Sequence, residues 1–178
     1  MATVAANVNV AVTGGVYYGP VGTALPTATA TALNVAFVEV GYLSEDGITQ
    51  AVGTSTEDIK AWQLAAVVRT VETEHTLTYA FTLLETNPNT LSLVAGGNYA
   101  AGVAQLKPGA MPHKAYVFDI LDGTSKVRIV VPDGQITEVG DVTFANGEAI
   151  MYPLTVTCMA DSSGVKSYTY YSTAGASA

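Results

Sequence analysis

The chain has 178 residues, of which 49% are hydrophobic, 8% aromatic and 12% charged, and its 15 acidic against 7 basic side chains leave a formal charge of −8. The length is that of one ordinary domain, and a charged share about half the usual one fits a β-rich protein that buries much surface against copies of itself. The acidic balance argues against nucleic-acid binding, which needs a basic footprint on the phosphates, and a single cysteine, Cys158, excludes an internal disulfide and a cysteine-cluster metal site.

Residues 1–13 alternate loosely around Val8, Val10 and Val12 up to Gly14 and Gly15, forming a terminal arm that is either loose or gains a partner on assembly. Val16, Tyr17 and Tyr18 make a short strand closed by Gly19-Pro20, and residues 22–31, rich in Gly, Pro, Thr and Ala, make a surface loop. Alternation returns over residues 37–43, a second strand, before Glu45-Asp46-Gly47 turns the chain. From residue 48 to residue 66 the pattern weakens. The only tryptophan, Trp62, falls in this stretch, as an aromatic at the edge of the core or as a contact residue of the kind enriched at interface centres.

A long strand is predicted over residues 67–85. Leu77, Tyr79, Phe81 and Leu83 share one parity while Thr76, Thr78, Ala80 and Thr82 share the other, so one face is apolar and one is short and Thr-rich. Thr86 or Asn87 then caps a short helix with Pro88 at its first position, ended by Gly96-Gly97. Residues 105–113 form a loop. Strands follow over 114–121 and 126–131, joined by Asp122-Gly123 as a hairpin. Pro132-Asp133-Gly134 is a second turn before a strand over 135–144, and Asn146-Gly147 a third before residues 148–160. In that last run Leu154, Val156 and Cys158 alternate with Thr155, Thr157 and Met159, and Pro153, lacking a ladder donor, marks an edge or a bulge. Ser162-Ser163-Gly164 leads into 166–172, and 173–178 is a loose tail. Eight or nine short strands with one helix make a mainly β protein, a single antiparallel sandwich or barrel spanning residues 14–172 with the helix packed on it.

Catalytic and ligand motifs are not found. Gly14-Gly15 and Gly96-Gly97 lack the spacing and the lysine of a phosphate loop. His75 and His113 have no carboxylate or cysteine partner at ligand spacing, and Cys158 sits on the apolar parity of its strand as a small buried hydrophobe. The paired carboxylates Glu45-Asp46, Glu57-Asp58 and Glu72/Glu74 fall where solvated loops or strand faces put them. Neither an enzyme activity nor a cofactor is expected. No apolar run approaches the roughly 20 residues of a membrane helix, no signal peptide is recognised, and assembly is expected in the cytoplasm.

The ordered set Gly15-Val16-Tyr17, Pro20, Gly22-Thr23, Leu25-Pro26, then Gly41 to Gly47, Thr56 to Trp62, Thr70 to His75, Glu85-Thr86-Asn87 and Tyr152-Pro153-Leu154-Thr155 resembles the major tail (tail tube) proteins of long-tailed, non-contractile bacteriophages, and is most similar to those of phages infecting actinobacteria. The resemblance implies a subunit of hexameric rings that stack into a tube in the virion tail, with inner sheets joined as one β-barrel around a lumen for DNA that is not specifically bound. It implies other tail proteins as partners, such as the tape measure, tail terminator and distal tail proteins. It also implies that residues 44–65 form an extended loop reaching the adjacent ring, with Glu45, Asp46, Glu57, Asp58, Ile59 and Trp62 as contact residues, and that the additional immunoglobulin-like domain of some relatives is lacking. A lumen that lets DNA slide should repel phosphate, which makes Glu72, Glu74, Glu138 and Asp141 candidates for its wall. Two other classes fit the residues less fully: a carbohydrate-binding β-sandwich with Trp62 and the tyrosines as a sugar platform, and a capsid decoration protein.

Overall fold

The computed structural model describes residues 8–172, so part of the expected arm at 1–13 and the whole tail at 173–178 lie outside the described residues. The strands are β1 (Thr13–Pro20), β2 (Val38–Glu39), β3 (Leu43–Lys60), β4 (Val67–Leu83), β5 (Tyr99–Ala100), β6 (Val103–Ala104), β7 (His113–Asp122), β8 (Ser125–Val139), β9 (Tyr152–Met159) and β10 (Tyr168–Ser172), with helix α1 (Pro88–Val94) after β4. Eight of them form one antiparallel sheet in the order β2-β1-β7-β8-β9-β4-β3, with β10 also paired to β8; β5 and β6 pair separately. The fold is mainly β with one short helix, as expected.

Strand β8 organises the sheet. On one side it pairs with β7 as far as Gln135, and on the other with β10 over Lys126 to Val130 and with β9 from Asp133 onward. Strands β7 and β4 are three ladder steps apart, about 14 Å in a flat sheet. Yet the Tyr79 and Phe118 rings lie 4.9 Å apart and the Phe81 and Phe118 rings 5.8 Å. The sheet therefore folds over on itself as a sandwich. Between its layers Val16, Tyr116, Phe118 and Val131 meet Leu77, Tyr79, Phe81, Leu83, Leu154 and Val156, and α1 adds Leu93. The apolar parity expected of β4 is the buried one, and on β9 Tyr152, Leu154, Val156 and Cys158 are buried in alternation as expected.

Several expected breaks are absent. Pro132-Asp133-Gly134 does not turn the chain: β8 runs through it, and a register shift opposite Ala115 accommodates the missing N–H. Strand β9 is interior, not an edge. Pro153 is tolerated near its start because its carbonyl faces the Gly140 N–H at 2.9 Å, on the side where β8 has already ended. The strand expected over 37–43 shrinks to the two residues of β2, because Gly41 takes φ +101. Helix α1 is capped by Asn87, whose side chain accepts from the Thr90 N–H at 2.8 Å, with Pro88 behind it.

The outer face of β1, β7 and β8 carries a second cluster. Phe37, Ala115, Val117 and Val130 pack with Leu25, Leu33, Tyr168 and Tyr170. Beside it the buried Arg128 guanidinium donates to both Asp119 oxygens, at 2.6 and 2.8 Å, and to the carbonyls of Ala28 and Thr31. This ties the loop over 21–37 to the sheet. Burial pushes the Asp119 carboxyl up, but the hydrogen bonds from Arg128 and Lys126 outweigh it and hold the group below the usual carboxylate range.

Candidate functional site

Among the described residues, the outer part of the β3–β4 hairpin is exposed almost throughout. Strand β4 pairs with β9 only from Leu83 to Thr78, and beyond that its sole neighbour is β3. Residues 53–60 and 67–76 therefore form a free two-stranded ribbon, about 27 Å long at roughly 3.4 Å per residue. Side chains of β3 are exposed on both faces along this length. The expected loop over residues 44–65 is thus mostly strand. The apolar alternation that would have revealed it arises only where one face is buried, and here neither is. What holds the ribbon is its ladder, the β-branched Thr and Val content, and local hydrogen bonds such as Thr70 Oγ1 to Asp58 Oδ1 at 2.7 Å.

At the tip, a single 3-10 turn over Gln63–Ala65 joins the strands, with Leu64 at φ 58 and Ala65 at φ 50. Left-handed backbone at non-glycine residues costs about 1 kcal/mol or more each, so the tip is held in an unfavourable shape. Trp62 is 98% and Leu64 99% exposed, flanked by exposed Ile59, Val67 and Val68. Trp62 is therefore not an aromatic at the core edge: the turn holds it at the far end of the ribbon, away from either core cluster. Residues 59–69 carry Lys60 and Arg69 and no carboxylate. Clustered exposed apolar side chains of this kind are typical of protein or membrane interaction sites and of ligand grooves.

The contact candidates divide into two groups. Glu57, Asp58, Ile59 and Trp62 lie at the outer end, while Glu45 and Asp46 lie at the foot, inside a bulge where the register jumps between Leu43 and Ile48. The four acidic wall candidates are not brought onto one surface. Glu74 pairs with Ser55 and Glu72 with Thr56, leaving Thr73 as the extra residue of a bulge. Because Ser55 and Thr56 point to opposite faces, Glu74 shares the Thr76, Thr78 and Ala80 face and Glu72 takes the other. Glu138 pairs with Thr155, which pairs with Ala80, so Glu138 lies on the Glu74 face. Asp141 follows the end of β8 and is exposed.

The foot of the hairpin holds a feature the sequence pattern did not disclose. An open cavity of about 870 Å³ lies between the segment before β1, the β2–β3 link and the start of α1, with Glu39, Glu45 and Glu85 around it and Leu43, Ile48 and Ile120 in its wall. Glu85 accepts from the Asn87 side chain at 3.0 Å and the Tyr42 N–H at 2.9 Å, which lower its pKa. A Cβ at Gly41 would stand 2.5 Å from that carboxyl carbon, so glycine is required there. The only sequence signal was that Gly41 to Gly47 and Glu85-Thr86-Asn87 stood out as separate motifs.

Elsewhere, His113 is not alone as expected: its Nδ1 lies 2.7 Å from Asp133 Oδ1 across the β7–β8 ladder. Cys158 is buried, which pushes its thiol up to about 12. Among the described residues no three His, Cys, Asp or Glu side chains gather as a metal site, and no helix is long and apolar enough to cross a membrane.

The chain is thus a folded-over β-sheet with one capped helix and a projecting ribbon whose tip carries exposed apolar side chains. The phage tail tube protein family matches the chain over residues 1–178, and the chain belongs to that family. It is a structural component of the virion tail. No curated protein sequence matches. Among solved structures, the chain is similar to a sheath/tube terminator of an extracellular contractile injection system (7% identity, TM-score 0.49, covering 88% of this chain and 91% of that one). It is also similar to the tube-terminating cap of the anti-feeding prophage (10%, 0.46, 75% and 83%) and to a chain of a native gene transfer agent virion (9%, 0.43, 79% and 92%). At such scores these likenesses carry no part of the argument below.

Proposed function

We propose that the protein is the tube subunit of a long, non-contractile tail, that six copies close into a ring, and that stacked rings enclose the lumen through which the genome is ejected. The observation that carries this reading is strand β3. It is 18 residues long, stands at the edge of the sheet, and has no cover on either face of its outer part. Such an edge invites pairing with another chain, and ring closure removes it. An isolated two-stranded ribbon is marginal in water, so the outer hairpin gains its stability from neighbours. The order of partners follows: the subunit itself first, then the tape measure, terminator and distal tail proteins at the tube's interior and ends. Rings assemble in the host cytoplasm.

The wall of the lumen is the short, Thr-rich face of β3, β4, β9 and β8, with Thr78, Ala80, Thr155 and Thr157 central and Glu74 and Glu138 as its carboxylates. Six copies turn each carboxylate into a charged band that phosphate slides past. Negative-stain microscopy of purified protein tests the assembly: rings or tubes of constant width with six-fold end views are expected, and featureless monomers at all concentrations would refute it. In virions, Glu138→Lys is expected to leave tubes intact and slow ejection at low salt. Unchanged ejection would place that face away from DNA.

A further inference from the structure

We infer that the hairpin tip of one copy seats in the foot cavity of a second copy, with Trp62 and Leu64 entering it and Lys60 and Arg69 meeting its carboxylates. This rests on the self-assembly reading above and names the two surfaces that meet. The tip has large apolar side chains that nothing in its own chain covers. The cavity has the volume of pockets that bury groups of that size, roughly 300–1,000 Å³, with Leu43, Ile48 and Ile120 offering apolar contact within a mixed lining and Glu39, Glu45 and Glu85 around it.

Charge matches the pair. Of the seven basic residues, Lys126 and Arg128 are engaged by Asp119, Lys114 lies over the Tyr18 ring, and Lys166 donates to the His75 carbonyl. Among the described residues that leaves Lys60, Arg69 and Lys107 without a recorded partner, and two of these three flank the tip. Glu45, exposed on the cavity rim, likewise has no recorded partner. Glu57 and Asp58 stand further from the tip on the same ribbon, so the positive charge lies at Lys60 and Arg69, and directing it at the acidic rim brings opposite charges together.

Geometry forbids a chain from filling its own cavity. Tip and foot are separated by the paired strand from Ile48 to Lys60, about 40 Å when extended. Each copy therefore gives a tip and receives one through different surfaces. That is a heterologous contact, which propagates along an axis with a repeat set by the length of the hairpin.

The test pairs Leu64→Cys with Glu45→Cys; buried Cys158 stays silent. Oxidising assembled protein is expected to give a ladder of covalent dimers, trimers and longer chains on non-reducing gels, with either single variant remaining monomeric. Tubes without a ladder would overturn this contact and leave the tube reading standing, whereas unmodified protein that forms no assembly would overturn both. As a second measurement, Glu45→Lys and Lys60→Glu should each raise the concentration needed for assembly about tenfold, like charges being costly at an interface. Combined in one chain they should restore it to within a few-fold. Absence of that rescue would refute the pairing.

Discussion

Strand β4 contains two regions that share one hydrogen-bonded ladder and differ in everything else. From Thr78 to Leu83 it is flanked by β3 and β9, and from Leu77 onward alternate side chains are buried against Phe118 and its neighbours. From Val67 to His75 it has β3 alone, and all but one of its side chains are exposed. The first region is held by its own fold. The second is ordered by backbone pairing and awaits cover from outside. A strand and an apolar stripe are therefore separate properties: pairing makes the one, and burial of a face makes the other.

The sharpest way to break the comparison is to damage the buried region. Phe118→Ala removes the ring that Tyr79, Phe81 and Tyr116 pack around, and should cost about 3–5 kcal/mol in urea denaturation. A loss below about 1 kcal/mol would mean that the layers are not joined there.

A step down, Asp119→Asn leaves the buried Arg128 guanidinium without its counter-charge, with an expected loss of about 3 kcal/mol. The pH dependence sharpens this. The folded carboxyl is held below its unfolded value of about 3.9, so its contribution is present above that pH and fades as pH falls through the depressed folded value. The unmodified protein should lose this increment on acidification below about pH 4, and the Asn variant should show no corresponding loss. Identical acid profiles would dismiss the charge pair as a source of stability.

The smallest effect on the monomer belongs to the tip. Trp62→Ala should change monomer stability by less than about 0.5 kcal/mol, since nothing packs on the side chain, and yet abolish tube formation. Amide exchange over the outer ribbon should be fast in monomers and slow in tubes. An unfolded Trp62→Ala monomer, or equal protection in both states, would erase the distinction between the two regions.

The sequence by itself determined what depends on local chemistry and on burial of one face. The β4 and β9 stripes, the Asn87-Pro88 helix start, the Asp122-Gly123 and Asn146-Gly147 turns and the place of Cys158 were all legible, because side-chain period and turn residues are properties of a few neighbouring positions. So was the family, which rests on an ordered set of short motifs. Tertiary structure decided the rest. It carried β8 straight through Pro132-Asp133-Gly134, because a bulge beside Ala115 absorbed the proline, and it made β9 interior, because β8 ends just where Pro153 begins. It drew residues 43–60 into a strand with no apolar period, separated Glu72 from Glu74 by one inserted residue, and built a cavity from segments far apart in the chain. Each of these depends on which strand lies alongside and in what register, and pairing between distant segments leaves no mark on a stretch whose two faces both meet water.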